Sequence, residues 1–138
     1  MNPLQFSLQL NPSTCILTDP QGKAVIIHIG VTNLAVNQFK GLIPTDLEIE
    51  YAIELIEECV MPLDKDIPRI RSILAVSNKT SDLNLEDILI KNRTLSVHEF
   101  EDIFNNTLFE KRSKYELAAL LIIRECLHHL RFTKLSFI

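Results

Sequence analysis

Apolar and polar residues alternate at the start of the chain. In Leu4-Gln5-Phe6-Ser7-Leu8-Gln9-Leu10 every second residue is apolar, the period-two signature of a strand with one buried face. Two β-branched stretches follow, Thr14–Thr18 and Lys23–Ile29, separated by Asp19-Pro20-Gln21-Gly22. Pro20 suits the first central position of a turn and Gly22 supplies the positive φ that such a connection wants. The pattern therefore predicts a hairpin at Asp19–Gly22. The next stretch, 31–40, reads equally as strand or short helix between Gly30 and Gly41.

Beyond Pro44 the period changes. Ile49, Ala52, Ile53 and Ile56 recur at helical spacing, which predicts a helix over about Asp46–Val60 stopped by Pro62. Three [S/T]-x-x-E capping boxes stand at Thr45/Glu48, Ser96/Glu99 and Ser113/Glu116. In each, hydroxyl and carboxylate can satisfy orphan backbone donors reciprocally. Leu95 and Phe100 are placed as a hydrophobic staple across the second. A helix starting at Asp66-Ile67-Pro68 would turn Ile70, Ile73 and Leu74 inward, and 83–92 reads as a short helix, with a strand through 87–92 as the alternative. The last helix, about Lys114–Leu130, is apolar on nearly every side in its first half, as befits a central, enclosed helix.

The expected fold class is α+β: an N-terminal antiparallel sheet of three to four strands followed by about five helices, segregated rather than alternating. The chain reads as one domain over 1–138, with 1–43 mainly β, 44–131 mainly helical, and 132–138 an apolar tail packed on the core or on a partner.

Composition narrows the classes. The 138 residues are 46% apolar and 23% charged, as in globular domains rather than disordered chains. Seven residues, Leu117–Ile123, form the longest strictly apolar run, too short for a bilayer that needs about 20. No basic-then-apolar leader opens the chain, so a cytoplasmic protein without membrane contact is expected. Cys15, Cys59 and Cys126 are dispersed and read as reduced, mostly buried thiols.

Net charge is −4 but uneven: 44–66 carries −7 and 111–138 carries +4. Opposed segments suggest surfaces that face one another. The overall sign disfavours nucleic acid, although Lys111, Arg112, Lys114, Arg131 and Lys134 form a short basic set. Gly22, Gly30 and Gly41 are the three glycines and none is close to another, so neither glycine-rich nucleotide motif occurs.

The chemistry-bearing residues gather in two places. Glu125-x-x-His128 has the spacing that di-iron bundles use, and Glu50, Glu54, Glu57 and Glu58 could supply further carboxylates, yet the second such motif and so the complete ligand set are missing. His128 and His129 are equally explained as cations complementing a helix C-terminus. No transition-metal site or other cofactor is expected, since no close ligand pairs occur. Cys126 lies near a helix C-terminus, where the dipole opposes thiolate formation.

Glu50, Glu54, Glu57 and Glu58 repel one another on the second helix-forming segment and read as a solvated face. Arg124 interrupts the apolar run and needs a carboxylate partner, since an unpaired buried charge is very costly. Glu54, Glu57 and Glu58 are the expected partners. The candidate pocket or buried ion cluster is therefore Glu54, Glu57, Glu58, Arg124, Glu125, His128 and His129. With no catalytic motif, the favoured function is a non-catalytic protein acting by association: a homodimeric scaffold, regulatory or accessory subunit, self-associating or bound to a protein partner. The alternative is a small enzyme or anion-binding domain that uses that cluster.

Overall fold

The computed structural model describes residues 4–67, 72–78, 85, 94–110 and 113–138. Among these, six strands and four α-helices follow one another as β1 (Leu4–Leu10), β2 (Cys15–Thr18), β3 (Ala24–Ile27), α1 (Val31–Gln38), α2 (Asp46–Val60), β4 (Ser72–Asn78), β5 (Thr94–Ser96), α3 (Val97–Glu110), α4 (Lys114–His129) and β6 (Lys134–Phe137). A 3-10 helix over Met61–Asp66 continues α2, with Pro62 in its first turn.

The six strands form one mixed sheet in the order β3-β2-β1-β4-β6-β5. β1, β2 and β3 make an antiparallel meander. β4 then runs parallel to β1, pairing Phe6 with Leu74 and Leu8 with Val76, and β6 runs parallel to β4. The short β5 closes the far edge, antiparallel to β6. These registers put Phe6, Leu8, Leu10, Cys15, Leu17, Leu74, Val76, Leu135 and Phe137 on one face, and all are buried. The opposite side chains of β1, Gln5, Ser7 and Gln9, are exposed or half-buried. The core thus lies on one side of the sheet, beneath the helices.

The expected hairpin is present. Gly22 has φ 91°, and the Asp19 carboxylate accepts from the backbone N–H of Gln21 and Lys23, both at 2.9 Å. α2 has the expected bounds, and its Thr45/Glu48 capping box is complete. At α3, Ser96 and Glu99 exchange the same two bonds, at 3.1 and 3.0 Å, with Leu95 and Phe100 both buried. At α4 the Ser113 hydroxyl accepts from Glu116 N–H. α4 is central: Leu117 to Ile123 are all buried, and α1, α2 and α3 each pack against it. Residues 31–38, ambiguous in pattern, are the helix α1.

Three expectations change. The sheet is mixed and six-stranded, not antiparallel and N-terminal. Ile73 and Leu74, expected on a helix, lie in β4, while Ile70 and all of the expected helix over 83–92 except the buried Leu85 fall outside the described residues. The apolar end of the chain, expected to pack on the core or on a partner, has Phe132, Leu135 and Phe137 buried in the core, and it does so as a strand inside the sheet. In each case pairing between strands distant in sequence overrides the local period. No helix among the described residues is long and apolar enough to cross a membrane.

Burial keeps the thiols protonated. Cys15 is pushed up to about 11 by desolvation, and Cys126, fully enclosed, is raised further in the same direction. A group whose folded pKa is raised stabilises fully below its unfolded pKa and loses that contribution as pH climbs to the folded one. Cys15 should therefore contribute about 2–3 kcal/mol below pH ~9 that vanishes near pH 11. Urea unfolding of the parent and of Cys15→Ala at pH 8 and 11 measures this: the difference between them should narrow by that amount.

Candidate functional site

A polar band crosses the helical layer from α2 over α4 to α3. Glu57 Oε2 lies 3.3 Å from His129 Nε2, which is also 3.3 Å from Glu125 Oε1. The other oxygen of Glu125, Oε2, accepts from Arg124 Nη1 at 2.9 Å. Arg124 Nε donates to Glu101 Oε1 at 3.1 Å, and the same oxygen is 2.7 Å from His128 Nε2. The guanidinium also covers the ring of Phe104, 5.2 Å from its centroid. Only 3% of the Glu125 side chain is exposed, while the other five members are a quarter to a third exposed. A buried carboxylate is thus held between a guanidinium and an imidazole, the condition under which burying its charge is tolerable.

Five of the seven residues singled out in the sequence, Glu57, Arg124, Glu125, His128 and His129, meet here. Glu54 and Glu58 do not join; both are exposed, as a solvated acidic face requires. The expected pairing of Arg124 with the acidic helix is replaced by pairing with Glu101 and with its own neighbour Glu125. Glu101 was the missed member. It follows Phe100 and precedes Phe104 by three positions, both buried, so it flanks the inward stripe of α3 and can reach α4. Of the basic set, Lys114 donates to the carbonyl of Phe39 and Arg131 pairs with Asp64 at 3.0 Å, while Lys111 and Arg112 fall outside the described residues.

The histidine end of the band lies away from the usual ligand crevice of such a sheet. α4 runs into β6 through a four-residue link, and Thr133 N–H donates to Ser72 O at the start of β4, so His128 and His129 lie toward the strands' amino ends. Open sheets with parallel strands bind ligands outside the carboxyl ends. There the β1–β2 turn, 11–14, meets α1: Val31 N–H donates to Asn11 O at 3.0 Å and Asn33 N–H to Pro12 O at 3.1 Å. A pocket of about 270 Å³ opens beside that turn, its wall including Ser13, His28, Asn33, Asn37, Glu58 and Cys59. It was not legible in sequence, because its residues come from four separate segments and form no motif.

No protein-family model and no curated protein sequence matches the chain. Solved structures do. The Ppx/GppA phosphatase of Aquifex aeolicus superimposes with a TM-score of 0.70 at 12% identity, over 99% of this chain and 53% of that one. An exopolyphosphatase from Cytophaga hutchinsonii gives 0.72 at 13%, over 99% and 53%. An exopolyphosphatase-like protein gives 0.68 at 10%, over 99% and 55%. This corrects the functional expectation: the solved structures named above are a phosphatase, an exopolyphosphatase and an exopolyphosphatase-like protein, against the non-catalytic homodimeric scaffold acting through protein–protein contact that the absence of motifs suggested. What the chain shares with them is the fold, of which it spans about half of each protein's length.

Proposed function

We propose that this chain is one half of a phosphohydrolase of the Ppx/GppA kind, handling phosphoanhydride chains such as polyphosphate along the carboxyl edge of its sheet. The observation that carries the reading is the extent of the match, 99% of the chain at TM-scores near 0.7 to enzymes named as phosphatases and exopolyphosphatases. The edge pocket supports it. Ser13, Asn33 and Asn37 offer neutral donors to phosphate oxygens, and Glu58 is the one carboxylate in its wall. Glu58 would take the proton from an attacking water while the broken P–O–P bridge leaves as a phosphate. Glycine-rich cradles are absent, so the hydroxyl and amide side chains must do what backbone N–H groups do in such loops.

NMR titration of the full chain with tripolyphosphate tests this directly. Amides of Asn11, Ser13, Thr14 and 30–33 should shift, Ser13→Ala should weaken binding about 10-fold or more, and Glu58→Gln should retain binding while phosphate release from polyphosphate stops. Absence of binding at millimolar ligand, or shifts confined to the band around His129, would overturn the assignment.

A further inference from the structure

The band described above contains three possible ligand atoms, two of whose mutual separations are those of a metal site. Nε2 of His129 stands 3.3 Å from Oε2 of Glu57 and 3.3 Å from Oε1 of Glu125, and all three atoms lie within 4.8 Å of one another. Zinc bonds of about 2.0–2.1 Å to imidazole nitrogen and carboxylate oxygen in a tetrahedron put neighbouring ligand atoms about 3.3–3.4 Å apart. Charge-assisted N–H···O bonds are shorter, about 2.7–2.9 Å, and in this same band the His128–Glu101 contact is 2.7 Å. The two histidines therefore make different contacts. His128 has the separation of a hydrogen bond and His129 the separation of a ligand edge.

A second observation concerns Glu125. Its side chain is 3% exposed, and Arg124 holds Oε2 at 2.9 Å, which leaves Oε1 aimed at the His129 side. Ligating carboxylates are commonly fixed by a hydrogen bond of this kind to the oxygen that does not bind the ion. Glu57 and His129 are about a third exposed, so an ion has a route in and a water can complete the coordination. Two carboxylates and a neutral imidazole also balance the charge of a divalent ion. Lone acidic clusters lack these features; the exposed Glu50, Glu54 and Glu58 on the same helix have no histidine among them and no buried member.

We infer that Glu57, Glu125 and His129 form a divalent transition-metal site, best matched to Zn²⁺, which ties α2 to α4. It is distinct from the pocket assigned to phosphate, although consecutive residues of α2, Glu57 and Glu58, serve the two, and its test reads zinc binding directly, without that assignment.

The test is calorimetric titration of zinc chloride into the full chain after chelator treatment and dialysis, with a parallel thermal melt. One ion per chain should bind, and saturating zinc should raise the Tm. Glu57→Gln, a partly exposed change that circular dichroism can confirm as folded, should weaken binding at least 10-fold, within the about 10–100-fold that even outer-shell losses cause. His129→Ala should remove both the binding and the zinc-dependent rise in Tm. His128→Ala should retain both. No saturable binding at millimolar zinc would leave His129 as an ion-pair partner only and overturn the site. Equal affinity in parent, Glu57→Gln and His129→Ala would do the same, as would loss of binding in Cys59→Ser alone.

Discussion

Gly30→Ala is expected to lower the Tm by roughly 10–15 °C, the consequence of at least ~3 kcal/mol of lost stability. A Cβ at Gly30 would stand 2.3 Å from Pro12 O, 2.3 Å from Ser13 C and 2.5 Å from Pro12 C. All three are backbone atoms of the β1–β2 turn, so no side-chain rotation relieves the clash. The backbone conformation is not the reason, since Gly30 is extended, with φ −128° and ψ 161°. What the missing Cβ permits is contact: α1 comes close enough for Val31 and Asn33 to donate to Asn11 O and Pro12 O. Pushing the turn away breaks those bonds and opens the pocket beside it at the same time. Gly41→Ala is the control. Its Cβ would meet nothing closer than 3.8 Å, and its Tm should stay within the ~0.5 kcal/mol range of ordinary surface changes. Thermal denaturation followed by circular dichroism separates the two.

Arg124→Met should cost about 3 kcal/mol and leave tripolyphosphate binding unchanged. Methionine keeps most of the apolar contact with Phe104 but withdraws the donor from Glu125, whose side chain is almost wholly enclosed. Breaking a buried pair from one side costs about 3–5 kcal/mol, because the remaining charge is stranded. The exposed share of Arg124, 26%, places this case at the lower end. A double variant, Arg124→Met with Glu125→Leu, removes the stranded charge and should recover much of the loss. Urea unfolding of the four members of that cycle gives the coupling between the two side chains. A loss confined to ligand binding, with stability intact, would show that Arg124 serves a pocket instead of joining helices.

The features legible in the sequence were those whose causes are local. Asp19, Pro20 and Gly22 encode the turn among themselves. Thr45 with Glu48 starts α2, and the unbroken apolar run from Leu117 marks α4 as central before any neighbour is known. β4 was lost for the opposite reason. Ile73 to Val76 is a short apolar run that a helix buries as readily as a strand, and what decides is its place between β1 and β6, each more than fifty residues distant in sequence. β6 reads as a sticky end until its pairing with Leu74 and Leu95 is seen. Glu101 was invisible as the partner of Arg124 because helix-to-helix contacts across 23 residues leave no spacing rule. The phosphatase likeness, at 10–13% identity, resides in strand order, and strand order is the property least written in any short stretch.

That strand order has a consequence for how the chain is made. β6 is laid between β4 and β5, so the latest of the described strands in chain order fills a gap between two earlier ones. β1 finds β4 only after about 70 further residues have been added, a long loop to close. On the ribosome the meander and the first two helices therefore emerge with the free edge of β1 and the apolar underside of the sheet unmatched. Until residue 137 clears the exit tunnel, β4 and β5 have no strand between them. The nascent chain is exposed to edge-to-edge pairing with other chains throughout that interval, and its dependence on holding chaperones should fall once β6 is available to pair.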